Sequence, residues 1–549
     1  MQRKCHVLLA AFCLFAGLVP LACADTPLQP QDPDAVCAAC HRQIYDSWKR
    51  TPMAHASGPA AEGFIPADFT HAVSGVHYRI DLDAGQVWLS YERPNAPPDR
   101  ALKGRELLLY YLGSGRRGRT WLFQREGYWY EIPINWYAKK RLWDMTPNYL
   151  DAREMPSTLP VDPGCLHCHA SNVQPSLPDA RNHFSGPPFP RGGISCASCH
   201  GDPAGHLATR GKGPILNPSK LNPVQRDSVC LECHLEGEVV VVRRGQHLAA
   251  FRPGGNLFDE AVYFEDGRKA GPGGRATSQW ESLLESACRR SSGDRLTCTT
   301  CHDPHSSPSA EERVSFYRTK CLACHAGLAS GHHAENPDCT SCHMPREETE
   351  DIAHEQVTDH RIQIVSKPFV SPVSAQELVP IGGVRPGPRD EGLAWAQLAV
   401  RGDRAAGERA MRLLLEAETS DPAQSSDAEL HMELGFLDQM NGDRERAQSE
   451  YQQSLRADPY NETAAGDLAV LKAQSGDFAA ALPFWQSVFQ HDPGASAAGI
   501  DLAVAQCRSV GAAAAAETLR RVLLFSPDND AARRFLLSLA ADTQHCAAP

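Results

Sequence analysis

Residues 296–305 read Leu296-Thr297-Cys298-Thr299-Thr300-Cys301-His302-Asp303-Pro304-His305. Two cysteines three positions apart lie on neighbouring sides of one helical turn, and a histidine follows the second directly. Thiols so placed can form thioethers to the two vinyl groups of one haem, and the histidine then offers its imidazole to the iron as proximal ligand. The same pattern occurs seven times. Cys37 and Cys40 precede His41, Cys165 and Cys168 precede His169, Cys196 and Cys199 precede His200, and Cys230 and Cys233 precede His234. Cys298 and Cys301 precede His302, Cys321 and Cys324 precede His325, and Cys339 and Cys342 precede His343. Fourteen of the twenty cysteines are used in this way. A single Cys-x-x-Cys would suit a thioredoxin-like pair or half a zinc site, but neither needs histidine after the second cysteine every time. The expected cofactors are seven covalently bound haem c groups.

The second axial position of each iron separates an electron carrier from an enzyme. Twelve further histidines lie in the same region: His55, His71, His77, His167, His183, His206, His247, His305, His332, His333, His354 and His360. They are enough to make all seven irons bis-histidine, with Met53, Met145, Met155 and Met344 as alternatives. His305 stands three residues after proximal His302, too close to reach the other face of the same ring, so it is expected to ligate a neighbouring haem. His206, six residues after His200, follows the same logic. His354 and His360 trail the last motif, and His332 and His333 sit between two closely spaced motifs. His167 lies inside its own attachment loop and is not expected to bind iron.

The formal net charge of −12 argues against nucleic-acid binding, which selects for concentrated Lys and Arg. Arg3 and Lys4, an apolar run over residues 7–21 and Ala22-Cys23-Ala24 resemble a cleavable leader, residues 1–24. Export to the periplasm or another extracytoplasmic space follows, where haem c is assembled. Lipid anchoring at Cys23 is the less favoured reading, because Pro20 stands where a lipoprotein box prefers an aliphatic residue. No later segment is apolar and long enough for a transmembrane span in the mature chain.

Between the first two motifs a cysteine-free stretch alternates like sheet: Val76, Tyr78, Ile80 and Leu82, then Val87, Leu89 and Tyr91. A β-rich insert at about 64–150 is expected, with a turn at Glu126-Gly127 and a core supplied by its many Trp and Tyr residues. The region from Cys165 onward shows little periodicity, as suits short helices after each attachment loop around a haem-dominated core; Gly271-Pro272-Gly273-Gly274 reads as a loop. Residues 366–388 carry several prolines and read as a linker. Beyond it, Pro459, Pro493 and Pro527 recur every 34 residues, as do Leu434, Leu468 and Leu502. That is the tetratricopeptide period, a helix–turn–helix whose copies stack into a solenoid. Its leucines and alanines are core, and its function is expected on the concave surface as a groove for a protein partner. The tail from about residue 389 is expected to fold alone. Cys288, Cys507 and Cys546 are left over, and free or packed thiols are expected.

Cys37-Ala38-Ala39-Cys40-His41 followed by Tyr45, Trp48, Met53 and His55 resembles the opening of the multihaem family that includes the tetrahaem electron acceptors of hydroxylamine oxidoreductase. Leu296 to His305, Asp338-Cys339 to Pro345 and Thr358-Asp359-His360-Arg361-Ile362 resemble exported multihaem cytochromes with tetratricopeptide tails. The resemblance implies distal ligation by His55, His206, His305 and either His354 or His360. Related families include reductases of nitrogen oxyanions, so it does not by itself exclude catalysis.

The reading is a mainly α fold. A haem-packed multihaem cytochrome core (25–365) with a small β-rich segment precedes an α-solenoid (389–549). The expected function is electron transfer between redox partner proteins, the repeat domain binding a protein partner. The alternative is a multihaem oxidoreductase with one open-site haem acting on a small nitrogen compound such as nitrite or hydroxylamine.

Overall fold

The computed structural model describes residues 32–147, 149–156, 159–178, 180–267, 278–328, 332, 336–346, 358–363, 378–421, 426–541 and 546. The expected leader, the 271–274 loop, His333 and His354 lie outside the described residues.

The first helix, α1 (Ala35–Trp48), carries the first motif and bends at His41, whose φ and ψ leave the helical region. A ten-stranded antiparallel sheet follows: β1 (Ser57–Pro59), β2 (Ala67–Thr70), β3 (His77–Asp83), β4 (Gln86–Glu92), β5 (Lys103–Leu112), β6 (Gly118–Arg125), β7 (Tyr128–Glu131), β8 (Ile134–Tyr137), β9 (Leu142–Met145) and β10 (Leu159–Pro160). Its main order is β10-β7-β6-β5-β4-β3-β2, with β1 on β5 and β8 joining β6 to β9. The period of two in β3 and β4 puts Tyr78, Ile80, Val87, Leu89 and Tyr91 on the buried face, whereas Leu82 is exposed. Glu126 and Gly127, both at positive φ, make the two-residue turn between β6 and β7. Trp121 is fully buried against Trp143, ring centres 5.0 Å apart. The sheet runs from Ser57 to Pro160, wider than the small 64–150 insert read from alternation, so the fold is α plus β rather than mainly α.

The next region is a series of short helices joined by long connections. It comprises α2 (Pro163–His167), β11 (Ala170–Ser171), β12 (Arg191–Gly192), α3 (Ala197–His200), α4 (Ala204–Ala208), α5 (Pro223–His234), β13 (Val239–Val242), α6 (Leu257–Glu260), β14 (Ala261–Asp266), α7 (Gln279–Glu285), α8 (Ala287–Ser292), α9 (Cys298–Cys301), α10 (Arg313–Leu322) and α11 (Cys339–His343). The motifs lie on these helical turns instead of preceding them. Local capping explains why: the Asp162 carboxylate accepts from Cys165 N–H at 3.0 Å, and Asp338 accepts from Thr340 N–H at 3.0 Å. Leu166 beside the second motif packs with Leu122, Trp129 and Phe189, tying this region to the sheet.

The C-terminal helices are α12 (Pro388–Val400), α13 (Arg404–Ser420), α14 (Ala428–Met440), α15 (Arg444–Ala457), α16 (Glu462–Gln474), α17 (Phe478–His491), α18 (Ser496–Ser509), α19 (Ala512–Phe525) and α20 (Asp530–Ala541). They form a stack of helical hairpins in the tetratricopeptide manner. Leu434 and Leu468 are fully buried and Leu502 nearly so. Asp403, Asp427, Asp443, Asn461 and Asp477 cap successive helices. Gly435 is required where it stands: a Cβ there would lie 2.7 Å from the Tyr451 ring.

Three expectations for this half are corrected. Leu378–Pro380, inside the expected linker, forms β15 and pairs with β14 beside β13. Cys507 and Cys546, read as free or packed thiols, form a disulfide. The stack is also packed against the rest of the chain near both ends. Leu393 and Trp395 of α12 share a core with Val239, Val241 and Phe264, and Phe525 of α19 enters the core of the large sheet. Such shared burial opposes independent folding of the tail.

Candidate functional site

Among the described residues, four of the seven motif histidines face a second imidazole from elsewhere in the chain. His41 faces His206 with ring centres 6.4 Å apart and planes within 18°. His200 faces His305 at 6.0 Å and 9°, and His302 faces His360 at 6.3 Å and 28°. His343 faces His332 at 5.9 Å and 33°. A metal–imidazole bond is about 2 Å long, so two rings on opposite sides of one metal place their centres roughly 6 Å apart. The donor set and spacing fit an iron with two axial histidines.

Orientation agrees with spacing. A ligating imidazole usually donates its other N–H to a carbonyl or carboxylate, which fixes the tautomer. His200 Nδ1 donates to the Leu216 carbonyl at 2.8 Å and His343 Nδ1 to that of Gln363 at 2.7 Å. His206 Nδ1 donates to the Gly213 carbonyl at 2.8 Å and His360 Nδ1 to that of Thr358 at 2.7 Å. His305 Nδ1 lies 3.6 Å from the Asp303 carboxylate. In the first four, a carbonyl holds Nδ1, which leaves Nε2 as the nitrogen available to a metal. Burial lowers the pKa of His302, His305 and His360, favouring the neutral imidazole that binds metals.

His55 is placed differently. Its Nε2 donates to the Lys49 carbonyl at 2.7 Å, and its Nδ1 lies 3.7 Å from Glu62. Proximal His169, His234 and His325 stand outside the four pairs; His169 Nδ1 points to the Ala56 carbonyl at 3.4 Å, and burial lowers the pKa of His234. His167 makes a partly buried pair with Glu232, 3.1 Å between Nε2 and the carboxylate, which joins the second motif to the fourth. His332 was one of several spare histidines in sequence, and only the fold pairs it with His343.

The attachment thiols also meet across motifs. Cys37 and Cys196 lie within 4.8 Å of each other and of Asp34. Cys168 is within hydrogen-bonding reach of Cys233, and its Sγ donates to the Glu232 carbonyl at 3.7 Å. Cys230 reaches Cys298, and Cys321 reaches Cys339. The first motif therefore adjoins the third, the fourth adjoins both the second and the fifth, and the sixth adjoins the seventh. Burial pushes the Cys199 and Cys321 thiols up to about 11, away from the thiolate character of a redox-exchange cysteine.

Burial of the attachment sites is uneven. Cys40, Cys165, Cys324 and Cys342 are exposed, whereas the other motif cysteines are half-buried. Two of the exposed cysteines, Cys324 and Cys342, belong to the sixth and seventh motifs. The helices that lead into or carry those two motifs, α10 and α11, contain no buried residue. Their sequences are rich in Arg, Lys, Thr and Ser, so the polypeptide supplies little apolar surface to cover the thiols.

No protein-family model matches the chain, and no curated protein is similar to it. Among solved structures, MamA of AMB-1 is 20% identical over 28% of this chain and 80% of its own, with a TM-score of 0.24. YrrB, a tetratricopeptide-repeat protein with an unusual peptide-binding site, is 18% identical over 27% and 75%, with a TM-score of 0.25. A tetratricopeptide-repeat protein from Parabacteroides merdae ATCC 43184 is 18% identical over 28% and 60%, with a TM-score of 0.25. At these scores the likeness decides nothing about function, and the helical stack rests on its own repeat register and packing.

Proposed function

We propose that this chain is an exported c-type cytochrome that binds seven haems covalently and passes electrons between redox partner proteins, with its helical stack as a protein-binding module. The observation that carries the reading is the set of four facing imidazole pairs, in each of which one Nδ1 is held by a backbone carbonyl. The seven groups would be held by Cys37 and Cys40, Cys165 and Cys168, Cys196 and Cys199, Cys230 and Cys233, Cys298 and Cys301, Cys321 and Cys324, and Cys339 and Cys342. The exposure of Cys40, Cys165, Cys324 and Cys342 would leave the haems of the first, second, sixth and seventh motifs more open to a redox partner than the others. His41, His169, His200, His234, His302, His325 and His343 would serve as proximal ligands. His206, His305, His360 and His332 would complete the irons of the first, third, fifth and seventh motifs. When bound, haem supplies a one-electron couple, and the chain's contribution is position and electrostatics.

Three of those second ligands, His206 on α4, His305 after α9 and His360 beyond the last motif, come from outside the motif they would complete, so the fold sets the spacing between groups. The thiol contacts between motifs support a closely packed array suited to electron transfer. Held between two histidines, those four irons would have no open position for a small substrate, which favours a carrier over a reductase. The disulfide agrees with an oxidising, extracytoplasmic compartment.

Intact mass of the protein matured in a host with cytochrome c assembly should exceed the apo chain by seven haem masses. Its electronic and paramagnetic spectra should be dominated by low-spin iron. A stable excess of four or five haems, or a mainly high-spin spectrum, would overturn the reading.

A further inference from the structure

The helical stack carries a feature that its leucine register hides. Glu433 of α14, Asp467 of α16 and Asp501 of α18 stand 34 residues apart, each directly before a core leucine. Equal register in successive repeats aligns them in a row along one side of the stack. Glu433 is only 8% exposed, and its Oε2 has no hydrogen-bond partner among the described residues. Its neighbours are carboxylates, those of Glu429 and Asp467, and burial together with their repulsion raises its pKa to about 7. Asp467 accepts a hydrogen bond from the Tyr451 hydroxyl at 3.1 Å, and burial raises the pKa of Asp467 and Asp501. Glu433 is buried and Asp467 and Asp501 are half-buried, and a buried carboxylate without a cation is costly.

The chain itself shows what such acids take. Arg389 at one end of the stack is held by Asp390 at 2.9 Å and Glu429 at 3.1 Å, with Asp427 as a third partner. Arg181, from the motif region, lies 3.2 Å from Asp492 and 3.8 Å from Glu462. Guanidinium groups of the same chain thus satisfy acids on either side of the row. Among the described residues, no ion pair is made by Glu433, Asp467 or Asp501.

We propose that the row Glu433, Asp467 and Asp501 binds a lysine- or arginine-rich segment of a partner protein, whose cations take the role that Arg389 and Arg181 play beside it. This names the partner chemistry of the repeat module and rests on reading that module as a partner-binding surface. It does not depend on haem.

The test uses the full-length protein and a fluorescein-labelled peptide rich in Lys and Arg, with a Glu-substituted counterpart as control. Fluorescence anisotropy should show binding of the basic peptide alone. E433Q combined with D467N should weaken it about tenfold, while E445Q, at an exposed acid on α15, should leave it unchanged. Thermal melting of E433Q should be unchanged or raised, which separates lost binding from lost fold. Equal affinity of the double variant and the parent would overturn the proposal, as would displacement of the peptide's role by magnesium or calcium alone. Tighter binding of the acidic peptide would also overturn it while leaving the stack a partner-binding surface. Haem content measured on the same samples stands apart from all of these outcomes.

Discussion

His305 shows how one residue tests the proposed cofactor array. It lies three residues from His302, yet its ring faces His200 at 6.0 Å, and its backbone N–H donates to the Asp303 carboxylate at 2.9 Å, which fixes the loop. On the proposed reading, His305→Ala opens the iron attached at Cys196 and Cys199, not the one at Cys298 and Cys301. The variant should keep all seven haems, gain a high-spin signal from one iron and bind carbon monoxide there. Adding Cys196→Ala and Cys199→Ala should remove both that haem and the new signal. An unchanged spectrum for His305→Ala would make this residue a structural histidine. That this ring turns to another motif is what the sequence led one to expect, because a loop of three residues cannot reach around a haem. Which motif it serves was not legible, since the partner is set by packing between distant segments. His55 illustrates the opposite limit: family resemblance suggested ligation, whereas its Nε2 is engaged by the Lys49 carbonyl.

At the scale of elements, the join between the helical stack and the large sheet is made by a buried ion pair. Arg93 on the loop after β4 donates to Asp528 at 2.8 Å, and Met155 N–H donates to the same carboxylate at 2.6 Å. The Asp528 side chain is 1% exposed and that of Arg93 8%. Removing one partner of such a pair leaves the other charge buried, a loss of about 3 to 5 kcal/mol. Asp528→Ala should therefore lower the stability of the whole chain by about 3 kcal/mol in guanidinium denaturation; a change under about 0.5 kcal/mol, as for an ordinary surface site, would show that the join is not held there. The repeat register was legible because hairpin packing imposes a fixed period of side-chain size. The sheet β13–β15 was not, because Val239-Val240-Val241-Val242 is a continuous apolar run without alternation and its partner strands lie far along the chain. The same long range concealed Leu378–Pro380, whose proline-rich setting resembles a linker until its pairing with β14 is seen.

For the whole molecule, the disulfide Cys507–Cys546 ties α18 to the last described residue, across 39 positions. A cross-link of that length contributes up to about 4 kcal/mol by restricting the unfolded chain. Alkylation of the unfolded, unreduced mature protein should spare Cys507 and Cys546 and label Cys288. Labelling of all three would exclude the bond. Sequence left these cysteines unassigned because three candidates allow several pairings and distance alone decides among them.

Fastening the stack near both ends changes how it can come apart. Repeat arrays ordinarily fray: a terminal unit has one neighbour, so it opens first and the opening runs inward. Here α12 is sealed against β13–β15 and α19 against the large sheet, so neither end is the weak point. Arg181 also ties α16 and the end of α17 to the motif region, so opening has to begin around α14 and α15 or wait for the sheets to loosen. The stack then behaves less like a string of beads unthreading from its tip than like a bridge whose span gives before its abutments.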